Sequence, residues 1–190
     1  MFPYNEDIQA CLEVLQQGGI ILYPTDTVWG IGCDATNEKA VKQIFELKKR
    51  SDTKAMIVLV ENENAILNYV NVTELQIFDY IKGIHKPTTV IYNHVKNLAH
   101  NLMADDGSVA IRICKDKFCQ ELIKQFGKPI VSTSANVSTY PTPLCFNDIS
   151  LEIIDGVNYV VKHRQDELEM QQPSAIVKWN ENGELIIIRH

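Results

Sequence analysis

Residues 20–35 read I-I-L-Y-P-T-D-T-V-W-G-I-G-C-D-A, and a helical run carries them on to K-K-R-S-D-T-K at residues 48–54. The apolar residues Ile20–Tyr23 read as a buried strand. Pro24 to Ala35 is too polar and too rich in glycine to continue that strand, so a turn is expected there. A helix follows, capped by Thr36 or Asn37. Val41, Ile44, Phe45 and Lys48 mark its apolar face, with the lysine stem closing the stripe. This order brings hydroxyls, backbone amides and cations within reach of one pocket, and a strand end followed by exposed hydroxyls is where open α/β sheets bind ligands.

Outward from that stretch, Asn5 to Gln17 repeats apolar residues at helical spacing and stops at Gly18-Gly19. Ala55 to Val60 is a continuous apolar run, expected as a central strand. Thr73 to Gln76 forms a capping box for a further helix, in which Leu75, Phe78 and Ile81 or Lys82 face inward. Thr88–Tyr92 and Val109–Ile113 are short strands. Cys119, Leu122, Ile123 and Phe126 define an amphipathic helix that Gly127 ends. Pro129 to Ser132 is a strand running into Ser132-Thr133-Ser134-Ala135-Asn136. Val157–Val161 and Ala175–Trp179 are strands, the latter joined by residues 180–183 to Glu184–Arg189 as a hairpin. Tyr140 to Ser150 is the loosest segment. Strands and helices mix without strict alternation, so the fold class is α/β, a twisted mixed sheet with helices packed on it.

The 190 residues suit a single domain, 1–190, which buries roughly 70% of its unfolded surface. A net charge of −6 argues against a general nucleic-acid binder. The five cysteines are scattered, with no C-x-x-C pair, which points to reduced thiols and a cytoplasmic setting. The amino terminus lacks the pattern of a signal peptide, and no apolar run is long enough to span a bilayer.

Gly30, Gly32 and Ala35 form G-x-G-x-x-A with Asp52 about twenty residues on, but the acid precedes the second strand and the first glycine does not follow the strand directly. A turn needing positive φ and close backbone approach explains the glycines better. Thr25-Asp26-Thr27 serves either its own backbone or a ligand. Lys48, Lys49, Arg50 and Lys54 either complement a helix dipole or form an anion pocket. Arg112 interrupts the apolar strand V-A-I-R-I, where a charge needs a partner or a ligand. Ser132 to Asn136 is either a self-bonded turn or a cradle for an anionic ligand. No G-x-S-x-G elbow, Walker A pattern or histidine ligand spacing is present, so no protein-built metal site is expected.

Five pieces occur in a fixed order: Y-P-T-D-T-V-W-G-I-G-C-D-A, K-x-R at Lys48–Arg50, V-A-I-R at Val109–Arg112, S-x-N at Ser134–Asn136 and P-S-A-I at Pro173–Ile176. Together they resemble the YrdC/Sua5 family from about Gly18 to Arg189, in the form that has only the catalytic domain. Departures are Leu59 for a common histidine, His85-Lys86-Pro87 for a W-P-G-P-like segment, and Val137 for the glycine usual after S-A-N. Ala175 stands for a common threonine, and the chain ends Arg189-His190 without the usual final glycine.

The resemblance implies a sheet with a concave, positively charged cavity, and synthesis of threonylcarbamoyl-adenylate from L-threonine, bicarbonate and ATP, with release of pyrophosphate. Mg²⁺ would arrive with the ATP. The product would serve tRNA threonylcarbamoylation, with tRNA or tRNA-modifying proteins as partners and no membrane. By resemblance, Thr27, Arg112, Ser132 and Ser174 would contact threonine. Lys48, Arg50 and Lys54 would face the triphosphate, Lys48 and Arg50 as catalytic residues. Ser108, Ser134, Asn136, Thr142 and Arg189 would line the nucleotide side. The rival readings are a YciO-like RNA-binding module and carbamoyl transfer through a carbamoyl-adenylate.

Overall fold

The computed structural model describes residues 3–49, 56–71, 76–168, 172–179 and 184–190. Helix α1 (Asn5–Gln16) leads into β1 (Ile21–Tyr23) and β2 (Gly30–Gly32). Then follow α2 (Glu38–Leu47), β3 (Ile57–Val60), α3 (Glu63–Ile66), α4 (Gln76–Gly83), β4 (Thr88–Tyr92) and β5 (Val109–Ile113). The chain closes with α5 (Lys117–Phe126), β6 (Ile130–Ser134), α6 (Leu151–Gly156), β7 (Tyr159–Val160), β8 (Ala175–Trp179) and β9 (Leu185–Arg189). Among the described residues the strands lie in the order β7-β1-β2-β6-β3-β5-β4-β8-β9. The pairs β1–β7, β3–β5 and β4–β8 are parallel and the other neighbours antiparallel, so the sheet is mixed as expected.

The strand β2 was not expected, because its G-I-G core reads as a turn. Its glycines are there for close approach. A Cβ on Gly32 would lie 2.5 Å from the Tyr23 ring and 2.7 Å from the Val131 carbonyl oxygen. A Cβ on Gly30 would lie 2.9 Å from Ser132 Oγ. Neither glycine has the positive φ that a turn would require; among the glycines of the described residues that conformation belongs to Gly18, Gly107 and Gly127. Helices α3 and α6 were also not expected. Asn62 caps α3 by accepting from the Ala65 amide, and α6 buries Ile153.

Local signals account for most of the other elements. Asn37, rather than Thr36, caps α2, accepting from the amides of Lys39 and Ala40, while Thr36 donates to Asp34. Val41, Ile44 and Phe45 are buried on the inner face of α2, and Lys48 is buried just past its end. Asp116 caps α5, and Gly127 ends it with φ 73°. Helices α1 and α5 pack together, burying Ile8, Cys11, Leu12 and Leu15 on one and Phe118, Cys119, Leu122 and Ile123 on the other. The Thr73 capping box and the 180–183 hairpin turn lie outside the described residues. No helix among the described residues is long and apolar enough to cross a membrane.

Candidate functional site

The turn between β1 and β2 builds one wall. Thr25 is buried, and its Oγ1 donates to the Val28 carbonyl at 2.8 Å while accepting from the Thr27 amide at 3.0 Å. Thr25 Oγ1 also lies 3.0 Å from Thr27 Oγ1. A hydroxyl has one proton, and that of Thr25 is engaged on Val28. Thr27 must therefore be the donor between the two threonines. Thr27 Oγ1 in turn accepts from Arg112 Nη2 at 3.2 Å. The chain of bonds runs in one direction, from Arg112 to Thr27 to Thr25 to Val28, and leaves Thr27 with a lone pair but no proton for anything else.

Asp26, between the two threonines, is turned toward the end of β5. Its Oδ1 lies 3.0 Å from Arg112 Nη2 and accepts from the Cys114 thiol at 3.3 Å. Its Oδ2 accepts from the Lys115 amide at 3.2 Å. Hydrogen-bonded strands stand about 4.8 Å apart, so β2 and β5, with β6 and β3 between them, are separated by roughly 14 Å of sheet. The β1–β2 turn folds across that face, since Asp26 meets the Lys115 amide just past β5, and Arg112 reaches up to it. The arginine is 3% exposed, and both of its identified bonds use Nη2. Its Nε is buried without a partner, a state that costs about 1–3 kcal/mol unless a ligand relieves it. Leu59, the departure from the family's histidine, is buried directly beside Arg112 in the β3–β5 register.

The second wall is the Ser132–Asn136 turn at the end of β6. Lys48, 1% exposed, reaches it from the end of α2. Its ammonium donates to the carbonyl of Ser134 and, at 2.6 Å, to that of Asn136. The Asn136 side chain links Ser134 Oγ, the Val137 carbonyl and the Tyr140 carbonyl. The lysine thus holds the turn by its backbone.

Between the walls lies a cavity of about 290 Å³. Thr27, Arg112, Ser132, Ser134, Thr142, Ser174 and Arg189 all line it. These expected site residues come from three strands and three loops, and Ile57, Ala110 and Ile91 supply an apolar floor. Ser174 Oγ lies 2.8 Å from Thr89 Oγ1, and Arg189 Nε donates to the Ser174 carbonyl at 2.9 Å. Burial first, and then the nearby Arg112 guanidinium, lowers the pKa of Arg189. Two guanidiniums and no carboxylate face this cavity among the described residues. A second hollow of about 580 Å³ adjoins it through Thr142, behind Asn136, Tyr140 and Pro141.

Three expected residues do not line the cavity. Lys48 is engaged on the turn, Asn136 faces the second hollow, and buried Ser108 bonds Asp106 through its amide at 3.0 Å. Arg50 and Lys54 lie outside the described residues. Thr25 and Asp26, which the sequence left open between serving their own backbone and a ligand, act behind the lining, as does Thr89, which sequence reasoning missed. The signal for Asp26 was Arg112 itself, whose charge within an apolar strand demanded a partner.

A buried guanidinium with a free donor edge, in a hollow of hydroxyls on an α/β sheet, defines a pocket for a small polar anion. The model of the Sua5/YciO/YrdC domain, described as "Telomere recombination", matches residues 13–190, and the chain belongs to that family. It is 31% identical over 157 residues to the threonylcarbamoyl-AMP synthase of Pseudoalteromonas translucida (strain TAC 125), across 81% of this chain and 84% of that protein. The structure of P. abyssi Sua5 complexed with L-threonine matches 97% of this chain with a TM-score of 0.85 at 20% identity. The chain spans 54% of that protein's length. E. coli YciO matches all of this chain and 91% of its own with a TM-score of 0.85 at 18% identity. These two likenesses show the fold alone, and they do so equally for both.

Proposed function

We propose that the chain is a threonylcarbamoyl-AMP synthase, a nucleotidyltransferase that forms threonylcarbamoyl-AMP and pyrophosphate from L-threonine, bicarbonate and ATP. The observation that carries this reading is the Arg112 guanidinium, held through Nη2, lining the cavity beside the Thr27 lone pair, within a chain whose curated relatives bear that name. Arg112 receives the threonine carboxylate. Thr27, which has only an acceptor to offer, accepts a hydrogen bond from the substrate's hydroxyl or nitrogen. Ser132 and Ser174 complete the threonine side. Ser134, Thr142 and Arg189 face the nucleotide, with Ser108 and Asn136 behind them, while Lys48 shapes the turn between. Arg50 and Lys54 face the triphosphate.

In the reaction, the amine of threonine takes up bicarbonate as a carbamate, with loss of water. The carbamate oxygen attacks the α-phosphorus of ATP, and the bond to the β-phosphate oxygen breaks to release pyrophosphate. The protein's part is to hold the reactants together and to offset charge on the phosphate oxygens. A lining without carboxylates suits Mg²⁺ that arrives on the ATP phosphates. The residues 1–190 act as one domain in the cytoplasm, and the product passes to tRNA threonylcarbamoylation.

The test is pyrophosphate release from ATP and bicarbonate with L-threonine, with L-serine and with no amino acid. Strict dependence on L-threonine is expected. Release without an amino acid would favour carbamoyl-adenylate chemistry, and ATP binding without turnover would favour a YciO-like RNA-binding role.

A further inference from the structure

We infer that Asp26 is a positioning residue for substrate binding: it holds Arg112 so that its guanidinium faces the cavity. The inference rests on the synthase reading above. Asp26 is not among the residues lining the cavity, yet its carboxylate is fixed by three groups. Arg112 Nη2 and the Cys114 thiol meet Oδ1 at 3.0 and 3.3 Å, and the Lys115 amide meets Oδ2 at 3.2 Å. Two of these, Cys114 and Lys115, directly follow β5, so Asp26 is anchored to the strand that carries Arg112.

The geometry makes the guanidinium's orientation a consequence of Asp26. Nη2 has two protons, and Asp26 and Thr27 are its two acceptors. With Nη2 fixed at two points, the planar guanidinium cannot rotate, and Nε is left buried and unpartnered. Leu59 beside it offers no polar atom that could hold the group instead. Without the Asp26 charge, Nη2 loses one of its two fixed points, and the guanidinium can turn away from the position in which it meets a carboxylate in the cavity. Asp26 also offsets the burial of the arginine's charge, which lets a cation wait in the cavity before substrate arrives.

The experiment is calorimetric titration of L-threonine, and of L-threoninol, which lacks the carboxylate, into the full chain and its variants. For Asp26→Asn, threonine affinity is expected to fall about tenfold, the scale of one charge-assisted bond, and the preference for threonine over threoninol to shrink by the same factor. ATP affinity should stay within about twofold, because sites without shared partners behave independently. In an Arg112→Met background, Asp26→Asn should add no further loss. Asp26→Glu keeps the charge balance needed for folding but displaces the carboxylate by one methylene, so it also should weaken threonine selectively. If Asp26→Asn fails to fold, this second variant decides. Unchanged threonine affinity in a folded Asp26 variant overturns the inference, as does an equal loss for threonine and threoninol. Absence of threonine binding by the unaltered chain overturns the synthase reading and this inference with it.

Discussion

The two walls of the cavity hold buried cations in opposite ways. At the β1–β2 turn, Arg112 meets a carboxylate and a hydroxyl through Nη2 and lines the cavity with the same guanidinium. At the β6 turn, Lys48 meets main-chain carbonyls and lies outside the lining. The planar guanidinium can be fixed along one edge and still present another, whereas a lysine ammonium is a point charge that the carbonyls surround. The first wall is therefore equipped to receive a ligand by charge. The second is a scaffold whose shape the lysine maintains, and its hydroxyls face the cavity.

Four substitutions probe this contrast. Arg112→Met leaves the largely enclosed Asp26 carboxylate without its charge partner, held by the Cys114 thiol and the Lys115 amide, so a loss of about 3 kcal/mol is expected, read by urea unfolding; threonine-dependent pyrophosphate release should disappear as well. Lys48→Met keeps the apolar stem and removes the donors to Ser134 and Asn136. A loss of about 2–3 kcal/mol is expected, with threonine affinity retained and ATP affinity weakened; the opposite pattern would put the lysine on the wrong side of the comparison. Thr25→Val cuts the hydroxyl chain behind Thr27 while preserving shape. It should cost about 1 kcal/mol, and Thr25→Ser should restore both stability and threonine affinity.

The smallest effect is expected beside Ser108. The Ser108 hydroxyl, then its amide, and more weakly Lys178, hold the Asp106 carboxyl at about 2. A carboxyl lowered in the folded state contributes stability above its ordinary range, and that contribution is lost as pH falls from about 4 toward 2. Asp106 is open to solvent, so the contribution is screened to a few tenths of a kcal/mol. Asp106→Asn should flatten the acid limb of a pH–stability profile by that amount and leave turnover at neutral pH unchanged.

Much of the sheet was legible because its strands are apolar runs between turn residues; Thr88–Tyr92, Val109–Ile113 and Ala175–Trp179 have the expected bounds. β2 was hidden because its glycines report crowding by Tyr23 and Val131, which lie on other strands. Helix α6 was hidden because it is short and buries little besides Ile153. In the site, hydroxyls and cations could be named from their motifs, but not which of them face inward. The basic run after α2 reads as an anion site, yet Lys48 turns to carbonyls that lie more than eighty residues away in the chain. The need of Arg112 for a partner or a ligand was legible; that the fold provides a partner and still leaves room for a ligand depends on which nitrogen each acceptor meets.

The Asp26–Arg112 pair also has a place in time. It joins two segments 86 residues apart in sequence, across strands that must already be aligned before the carboxylate and guanidinium can meet. Contacts that form after the folding barrier act on the rate of unfolding, not of folding. The pair is thus expected to work as a kinetic lock: loosening it should leave the refolding arm of a chevron plot nearly unmoved and raise the unfolding arm, so that a contact behind the pocket also governs how long the native molecule lasts.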